Sequence, residues 1–287
     1  MIKLWLLFLL LVSLPPATSL DSTDKKSSES VGYISYTSSP LSAIRNDEPV
    51  ELSHGSPIYS SDQIMTESRQ LTILRISEIG DLFVLPLSQI TIEDNGHSLI
   101  LSSADAYFES APEQIRTHID CFQNNLSGYS FSAGIQCREQ SGIIFSLLNG
   151  FAQLETTARQ SFTLHSSRAV SGRAVQGSFS EIEIPDRPTL THIAKQDSAG
   201  QELAIQWDPV DMADQYLIHI FSDNLENETH FLTLHPTHRF LIDSVLEDEG
   251  EYYIRVSAID YYGVSGLWST TASFEFTPDV SEDVDSG

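Results

Sequence analysis

The chain has 287 residues, of which 40% are hydrophobic and 19% charged, and its formal net charge is −25. This apolar content excludes an acidic disordered chain and suffices for one or two folded domains. The excess of carboxylates disfavours nucleic acid and anionic membranes as partners, because both carry negative charge. Cationic partners, divalent ions or a surface suited to a salty exterior remain open.

The N-terminus has the pattern of a secretory signal peptide. Lys3 precedes an apolar run over residues 4–12, and small residues at 17–19 follow two prolines. This order is typical of export signals. The run is shorter than the roughly 20 residues that span a bilayer. We predict a signal peptide at 1–19 with cleavage between Ser19 and Leu20, and a periplasmic or secreted protein with no membrane span after cleavage. An uncleaved anchor is the alternative.

Short β segments follow a predicted flexible leader at 20–31. Alternation or compact apolar runs between polar turns predict strands at 33–36, 69–76, 81–87, 89–93, 98–101 and 160–164, with a turn at 94–96. Residues 111–121 fit either a helix opened by Pro112 or a strand. The alternation of Ile115, Thr117 and Ile119 favours the strand.

Residues 143–155 contain the clearest hairpin signal. Asn149-Gly150 stands between two β-type runs, 143–148 and 151–155. Asn-Gly is typical of a type I′ turn, because both central residues need positive φ. We therefore predict a hairpin with its tip at Asn149-Gly150.

Composition changes near Ile184, where a Ser/Gly/Arg-rich stretch gives way to Pro185. We expect one β domain at 32–178, a linker at 179–185 and a second domain at 186–277. An acidic disordered tail is expected at 278–287. Alternation in the second domain predicts strands at 202–207, 215–221, 231–234, 240–242 and 251–260, with a closing segment around Phe274 and Phe276.

The chain has two cysteines, Cys121 and Cys137. An exported protein meets an oxidising environment, so we expect these two to form a disulfide. Two separate buried thiols are the alternative, and no further ligands stand at a spacing typical of zinc.

The second domain resembles a fibronectin type III domain. The resemblance rests on Pro188, on Trp207, and on residues 246–252, which end in Tyr252 and resemble the approach to the tyrosine corner. Residues 255–258 and 263–269 resemble the strand and loop that follow. The resemblance implies a β-sandwich that acts as a spacer or a binding surface.

The first domain resembles the FecR-like extracytoplasmic domain of bacteria. The resemblance lies in residues 55–66, 71–76 and 80–92, where a glycine and an aspartate precede a threonine and two short strands. It implies an all-β fold, either a sandwich or a short β-roll, in a bacterial envelope protein. Name-giving members of the family span the membrane and hold a sigma factor. With a cleaved signal, we do not transfer that activity.

The sequence shows no hydrolase elbow, Walker loop, dinucleotide fingerprint or zinc-protease motif. His230, His235 and His238, with Asp223 or Glu228, would need to converge to hold a metal, and their spacing favours surface histidines. The acidic runs 247–249 and 279–285 lack a calcium-loop pattern and favour solvated charge. We expect no cofactor and no metal.

Four aromatic residues are the candidate interaction patch: Tyr253, Tyr261, Tyr262 and Trp268. If exposed together they would mark a binding surface, and packing in the core is the alternative. We predict a non-enzymatic envelope protein that binds a protein or an envelope polymer. The alternatives are a periplasmic signalling module contacting an outer-membrane transporter, and a polymer-degrading enzyme.

Overall fold

The computed structural model describes residues 29–93, 96–111, 115–140, 142–173, 178–193, 203–222, 228–242 and 245–278. These residues form 23 strands and no α-helix, so the predicted all-β class is confirmed. The predicted signal peptide with Ser19 and Leu20, the part of the predicted acidic tail beyond residue 278 and most of the predicted turn at 94–96 lie outside the described residues.

Fifteen strands form one sheet in the first β unit, which we define as residues 29–184. In chain order they are β1 Gly32–Thr37, β2 Leu41–Arg45, β3 Glu48–Leu52, β4 Pro57–Ile58, β5 Gln63–Met65, β6 Thr72–Ile76, β7 Gly80–Val84, β8 Gln89–Glu93, β9 Ser98–Ser110, β10 Arg116–Cys121, β11 Asn124–Arg138, β12 Gly142–Glu155, β13 Ser161–His165, β14 Arg168–Gly172 and β15 Phe179–Ile182.

The long strands β9, β11 and β12 each pair with different neighbours along their length and so connect two halves of this sheet. In the first half, the C-terminal parts of β9 and β11 and the N-terminal part of β12 join β1, β4, β6, β7, β14 and β15. In the second, their other ends join β2, β3, β5, β8, β10 and β13. Both halves contribute to one buried core, for example through Leu74 and Leu126, so they pack as the two layers of a sandwich.

The predicted hairpin at Asn149-Gly150 is wrong. Strand β12 runs unbroken through both residues, and the pairing with β11 shifts register between Tyr129 and Ser132 opposite them. Gly150 has φ 84°, and a Cβ there would collide with the Ser130 carbonyl oxygen. The glycine therefore serves a β-bulge, which bends a strand, and the bend carries β12 from one layer to the other.

Two-residue hairpin turns occur elsewhere, at sequences less typical of a type I′ turn than Asn-Gly. Asn46 and Asp47 connect β2 to β3, and Phe122 and Gln123 connect β10 to β11. All four have positive φ, as a two-residue type I′ connection requires.

Cys121 at the end of β10 and Cys137 on β11 form the expected disulfide, with an S–S distance of 2.11 Å. Both residues are fully buried in the core of the first β unit. The bond therefore ties the second half of the sheet to the first.

The second β unit, residues 185–278, is a sandwich of two sheets. One has the order β16-β17-β20, and the other has the order β19-β18-β21-β22, with β23 also on β21. The strands are β16 Leu190–Ile193, β17 Ala204–Trp207, β18 Ala213–Phe221, β19 Thr229–His235, β20 Arg239–Leu241, β21 Gly250–Asp260, β22 Ser265–Trp268 and β23 Ala272–Phe276. Trp207 is 1% exposed in the core, and the Tyr252 hydroxyl donates to the Asp248 carbonyl oxygen at 2.8 Å.

Two predicted boundaries need correction. Residues 179–182 were predicted as linker but form β15, which pairs with β14 and extends the first sheet. Val31, at the end of the predicted flexible leader, is buried in the first core. Both ends of the first β unit extend further than predicted because their apolar side chains pack against the rest of the unit.

Candidate functional site: a cleft between the two β units

The second β unit covers the outer face of one half of the first sheet. We call this half, which contains β6, β7, β14 and β15, the covered half, and the other the open half. One apolar cluster spans the boundary and draws on both units: Leu71, Ile73, Phe83, Leu85, Tyr107 and Leu148 on one side, and Leu217, Leu232, Ile259 and Trp268 on the other. Burial of this much apolar surface holds the two units together.

Arg255 on β21 lies at the centre of this boundary. Its guanidinium donates to both carboxylate oxygens of Glu109 on β9, at 3.0 and 2.9 Å. The Arg255 side chain is 6% exposed and that of Glu109 21%. The guanidinium carbon also stands 4.3 Å from the ring centroid of Trp268. The bidentate hydrogen bonds and the contact with the aromatic face compensate the guanidinium for the water that it loses on burial.

His219 on β18 completes the cluster. Arg255 Nε donates to His219 Nδ1 at 3.1 Å, and the imidazole packs against Phe83 of the first unit with ring centroids 5.3 Å apart. Burial holds the pKa of His219 well below its ordinary value, and the charges of Arg255 and Arg75 lower it further. The imidazole is therefore neutral at pH 7, which lets Nδ1 accept the hydrogen bond.

The two backbones approach closely at Gly134 on β11. A Cβ at this position would lie 2.7 Å from the Cβ of Ser265 on β22, nearer than real Cβ atoms come. Any larger residue would push the two units apart. Gly134 therefore allows the close contact between the two units.

Beside this contact the units diverge and leave a cleft of about 810 Å³. On the floor, Gln136, Ile144 and Ser171 lie in register across β11, β12 and β14. Val264 of the second unit packs on this floor with Ile144 and Ala169. Ten residues line the cleft: Gln136, Ile144, Ser171, Ile182, Glu183, Met212, Asp260, Tyr261, Tyr262 and Val264.

The wall of the cleft is the turn between β21 and β22. Asp260 Oδ1 accepts hydrogen bonds from the backbone N–H groups of Tyr262 and Val264, both at 2.8 Å. This side chain fixes the turn in the way typical of aspartate. As a result Tyr261 and Tyr262 project from the rim, 81% and 72% exposed. Met212, across the cleft, is 56% exposed.

One border of the cleft is a sheet edge. Strand β15 ends the strand order of the first sheet and pairs only with β14 among the described strands. Ile182 at its end and the next residue, Glu183, line the cleft. An edge strand presents unpaired backbone N–H and C=O groups, which can hold another extended chain.

The predicted aromatic patch is half wrong. Tyr261 and Tyr262 are exposed at the rim, as the patch requires. Tyr253 is half-buried and stacks on Phe221, and Trp268 is 8% exposed beneath Arg255. Trp268 is not accessible, because it lies on the face of the second β unit that the first unit covers.

Of the three histidines considered as metal ligands, His230 and His235 have other contacts, and His238 is exposed. The His230 ring packs edge-on against Tyr252, and His235 Nε2 lies 2.9 Å from the Arg239 carbonyl oxygen. Asp223 lies outside the described residues. Within the described ranges, no group of three or more His, Cys, Asp or Glu residues is placed to hold a metal ion. In the same residues, no helix has the length and apolarity needed to cross a membrane.

Sequence reasoning missed the boundary and hence the roles of Glu109, Arg255 and His219. A weak signal existed: the runs 71–74 and 82–85 are apolar on both faces of their strands. Such runs indicate a strand buried on both sides, which requires a second layer over the sheet.

No protein family and no curated protein matches this chain. Two structures of a candidate anti-sigma factor from Parabacteroides distasonis match at 8% identity, over 42% of this chain and 59% of theirs, with TM-scores of 0.38. The extracellular domain of a candidate one-component system from B. thetaiotaomicron matches at 9% identity, over 82% of this chain and 53% of its own, with a TM-score of 0.21. This chain thus spans less than two thirds of each.

Proposed function

We propose that this is a non-enzymatic protein of the bacterial cell envelope that binds an extended segment of a protein partner in the cleft between its two β units. The observation that carries the proposal is the combination of a floor with Ile144 between Gln136 and Ser171, a strand edge free among the described strands, and two exposed tyrosines around one cleft. Clefts at domain boundaries are common binding sites.

The free edge of β15 supports an extended ligand. A peptide that adds to an edge strand gains main-chain hydrogen bonds, and pockets for its alternate side chains supply specificity. Here the alternate side chains would meet Ile182 and the floor around Ile144. Tyr261 and Tyr262 would cover the segment from the rim, and tyrosine is enriched at interfaces because it combines apolar area with a polar tip.

Charge selects among such segments. Glu183 and Asp260 line the cleft. In a chain of net charge −25, these carboxylates favour a neutral or basic segment over an acidic one.

The envelope location rests on the export pattern of residues 1–19 and on the Cys121–Cys137 disulfide, since such bonds persist in oxidising compartments. For the second unit, the buried Trp207 and the Tyr252–Asp248 bond support a fibronectin type III-like domain. The first unit is proposed to be FecR-like on the motifs given above, and its sandwich form agrees with the fold that the resemblance implies.

Site-specific photo-crosslinking in intact cells tests the proposal. A photoreactive residue replaces Tyr262 at the cleft rim or, as a matched control, Leu87, which is 60% exposed between β7 and β8. We expect a cross-link from position 262, but not 87, that maps to one continuous segment of one partner. That segment, made as a synthetic peptide, should bind the purified protein, and Tyr261→Ala with Tyr262→Ala should weaken binding about tenfold. Equal cross-linking from both positions, or a peptide whose binding ignores both tyrosines, would contradict the proposal.

A further inference from the structure

The open half carries a row of four exposed side chains across four neighbouring strands. Arg116, Tyr129, Phe151 and His165 are partners in register on β10, β11, β12 and β13, so they share one face of the sheet. We call them the outer row. Tyr129 is 56% exposed and Phe151 47%. The His165 ring packs edge-on against Phe151, with ring centroids 5.5 Å apart.

The outer row is separate from the core. Residues of the same strands that point to the other face include Ile119, Leu126, Ala152 and Leu164, all buried. The alternate residues of these strands thus fill the core, and the side chains of the outer row do not contribute to it. Two aromatic rings remain in contact with water, on the half of the first unit that the second does not cover.

Beside the outer row lies a polar one. His118, Ser127, Gln153 and Thr163 are partners across the same four strands. The eight side chains of the two rows include hydroxyl, amide, imidazole and guanidinium groups and no carboxylate, although the chain has 40 Asp and Glu residues.

Arg116 differs from most of the other strand arginines. Five of those form ion pairs with carboxylates: Arg45, Arg75, Arg138, Arg168 and Arg255. Arg116 donates to the Ser127 hydroxyl at 3.0 Å and forms no ion pair within the described residues. Its remaining donors point to no carboxylate there and can serve a ligand.

We propose that the outer row binds a neutral oligosaccharide, a site beyond the peptide cleft. Pyranose rings have one apolar C–H face, which stacks on the negative face of an aromatic ring such as Phe151 or Tyr129. Their hydroxyls accept hydrogen bonds from Arg116 and Gln153 and donate to Nε2 of His118, whose Nδ1 faces the Asn125 side-chain oxygen at 3.4 Å. Charge disfavours the alternatives, since a chain of net charge −25 repels a polyanion and the eight positions offer no carboxylate to a polycation.

The spacing of the strands sets the size of the ligand. Neighbouring strands lie about 4.8 Å apart, so the three steps from Arg116 to His165 cover about 14 Å, roughly the length of three pyranose rings. Affinity should therefore rise from the disaccharide to the trisaccharide or tetrasaccharide and then level off.

Calorimetric titration of the purified exported chain tests this site. The probes are oligosaccharides of two to six units from β-linked glucose, mannose and N-acetylglucosamine, with a galacturonate hexamer as the anionic comparison. We expect one neutral series to bind with the stated length dependence. Phe151→Ala and Tyr129→Ala should each weaken binding about tenfold, and Gln153→Ala several-fold.

The matched control is Tyr262→Ala, which truncates an exposed aromatic in the cleft and should leave sugar binding unchanged. A purely structural role for Phe151 would lower the unfolding midpoint without changing the affinity per folded molecule, and that result would overturn the proposal. So would the failure of every neutral series, or tighter binding of the galacturonate hexamer. Each of these results leaves the peptide cleft untouched, because the cleft shares no residue with the outer row.

Discussion

Replacing Glu109 with glutamine should destabilise the whole protein. Glu109 is the carboxylate that Arg255 meets across the boundary, in a bidentate pair at 3.0 and 2.9 Å. Glutamine keeps the shape of the side chain but removes its charge and one acceptor oxygen. The guanidinium would then stay buried at 6% exposure with its charge uncompensated.

The expected size follows from the burial of the pair. Removing one partner of a buried ion pair costs about 3–5 kcal/mol. Glu109 is 21% exposed and glutamine retains one hydrogen bond, so we take the lower end, about 3 kcal/mol. For chains of this size that corresponds to a fall in the unfolding midpoint of about 6–12 °C.

Thermal and urea unfolding, followed by tryptophan fluorescence, measure the effect. Trp268 lies at the boundary, so its emission also reports separation of the two units. Glu181→Gln is the matched control, because Glu181 pairs with Arg168 at 72% and 63% exposure and such pairs contribute about 0–1 kcal/mol. A Glu109→Gln midpoint within the range of this control would refute the account of the boundary.

Three further changes test other parts of the fold. His219 has a depressed pKa in the folded state, so below pH 6.5 the unfolded state binds more protons; between pH 6.5 and 5.5 stability should fall by about 1 kcal/mol more than in His219→Gln, as urea titrations at the two pH values would show. Replacing both Cys121 and Cys137 with serine should cost about 3 kcal/mol by denaturant unfolding, and an unchanged midpoint would contradict a stabilising role for the disulfide. Gly150→Ala should cost more than about 1 kcal/mol, because alanine is strained at φ 84° and its Cβ would meet the Ser130 carbonyl; an unchanged midpoint would contradict the bent β12.

Local pattern was sufficient for elements whose neighbours are close in the sequence. Strands β6, β7 and β8 were predicted because apolar residues and turns mark them within a few positions. The same reasoning failed at Asn149-Gly150, where a turn-forming pair serves a bulge. The Asn-Gly pair alone cannot distinguish a hairpin turn from a β-bulge, since both can use a glycine with positive φ. The difference lies in the pairing with β11, which continues on both sides of the pair.

The cleft could be predicted only in part. Tyr261 and Tyr262 follow the end of β21 as consecutive aromatics, and exposure of one of two neighbours follows from alternation. Trp268 and Arg255 point outward from an isolated sandwich, so sequence reasoning places them in water or in a patch. Their burial depends on contact with Phe83 and Glu109, more than a hundred residues earlier, and no local pattern records that contact.

The central claim is that the cleft binds an extended chain. Amide hydrogen exchange of the protein tests it most directly, measured with and without a synthetic peptide of the partner segment that cross-linking identifies. If the cleft binds an extended chain along β15, exchange should slow at the backbone amides of residues 178–184 and in the turn at residues 260–264. Exchange in residues 116–121 of the open half should not change. Slowing confined to the open half, or no slowing at β15 under saturating peptide, would contradict the account.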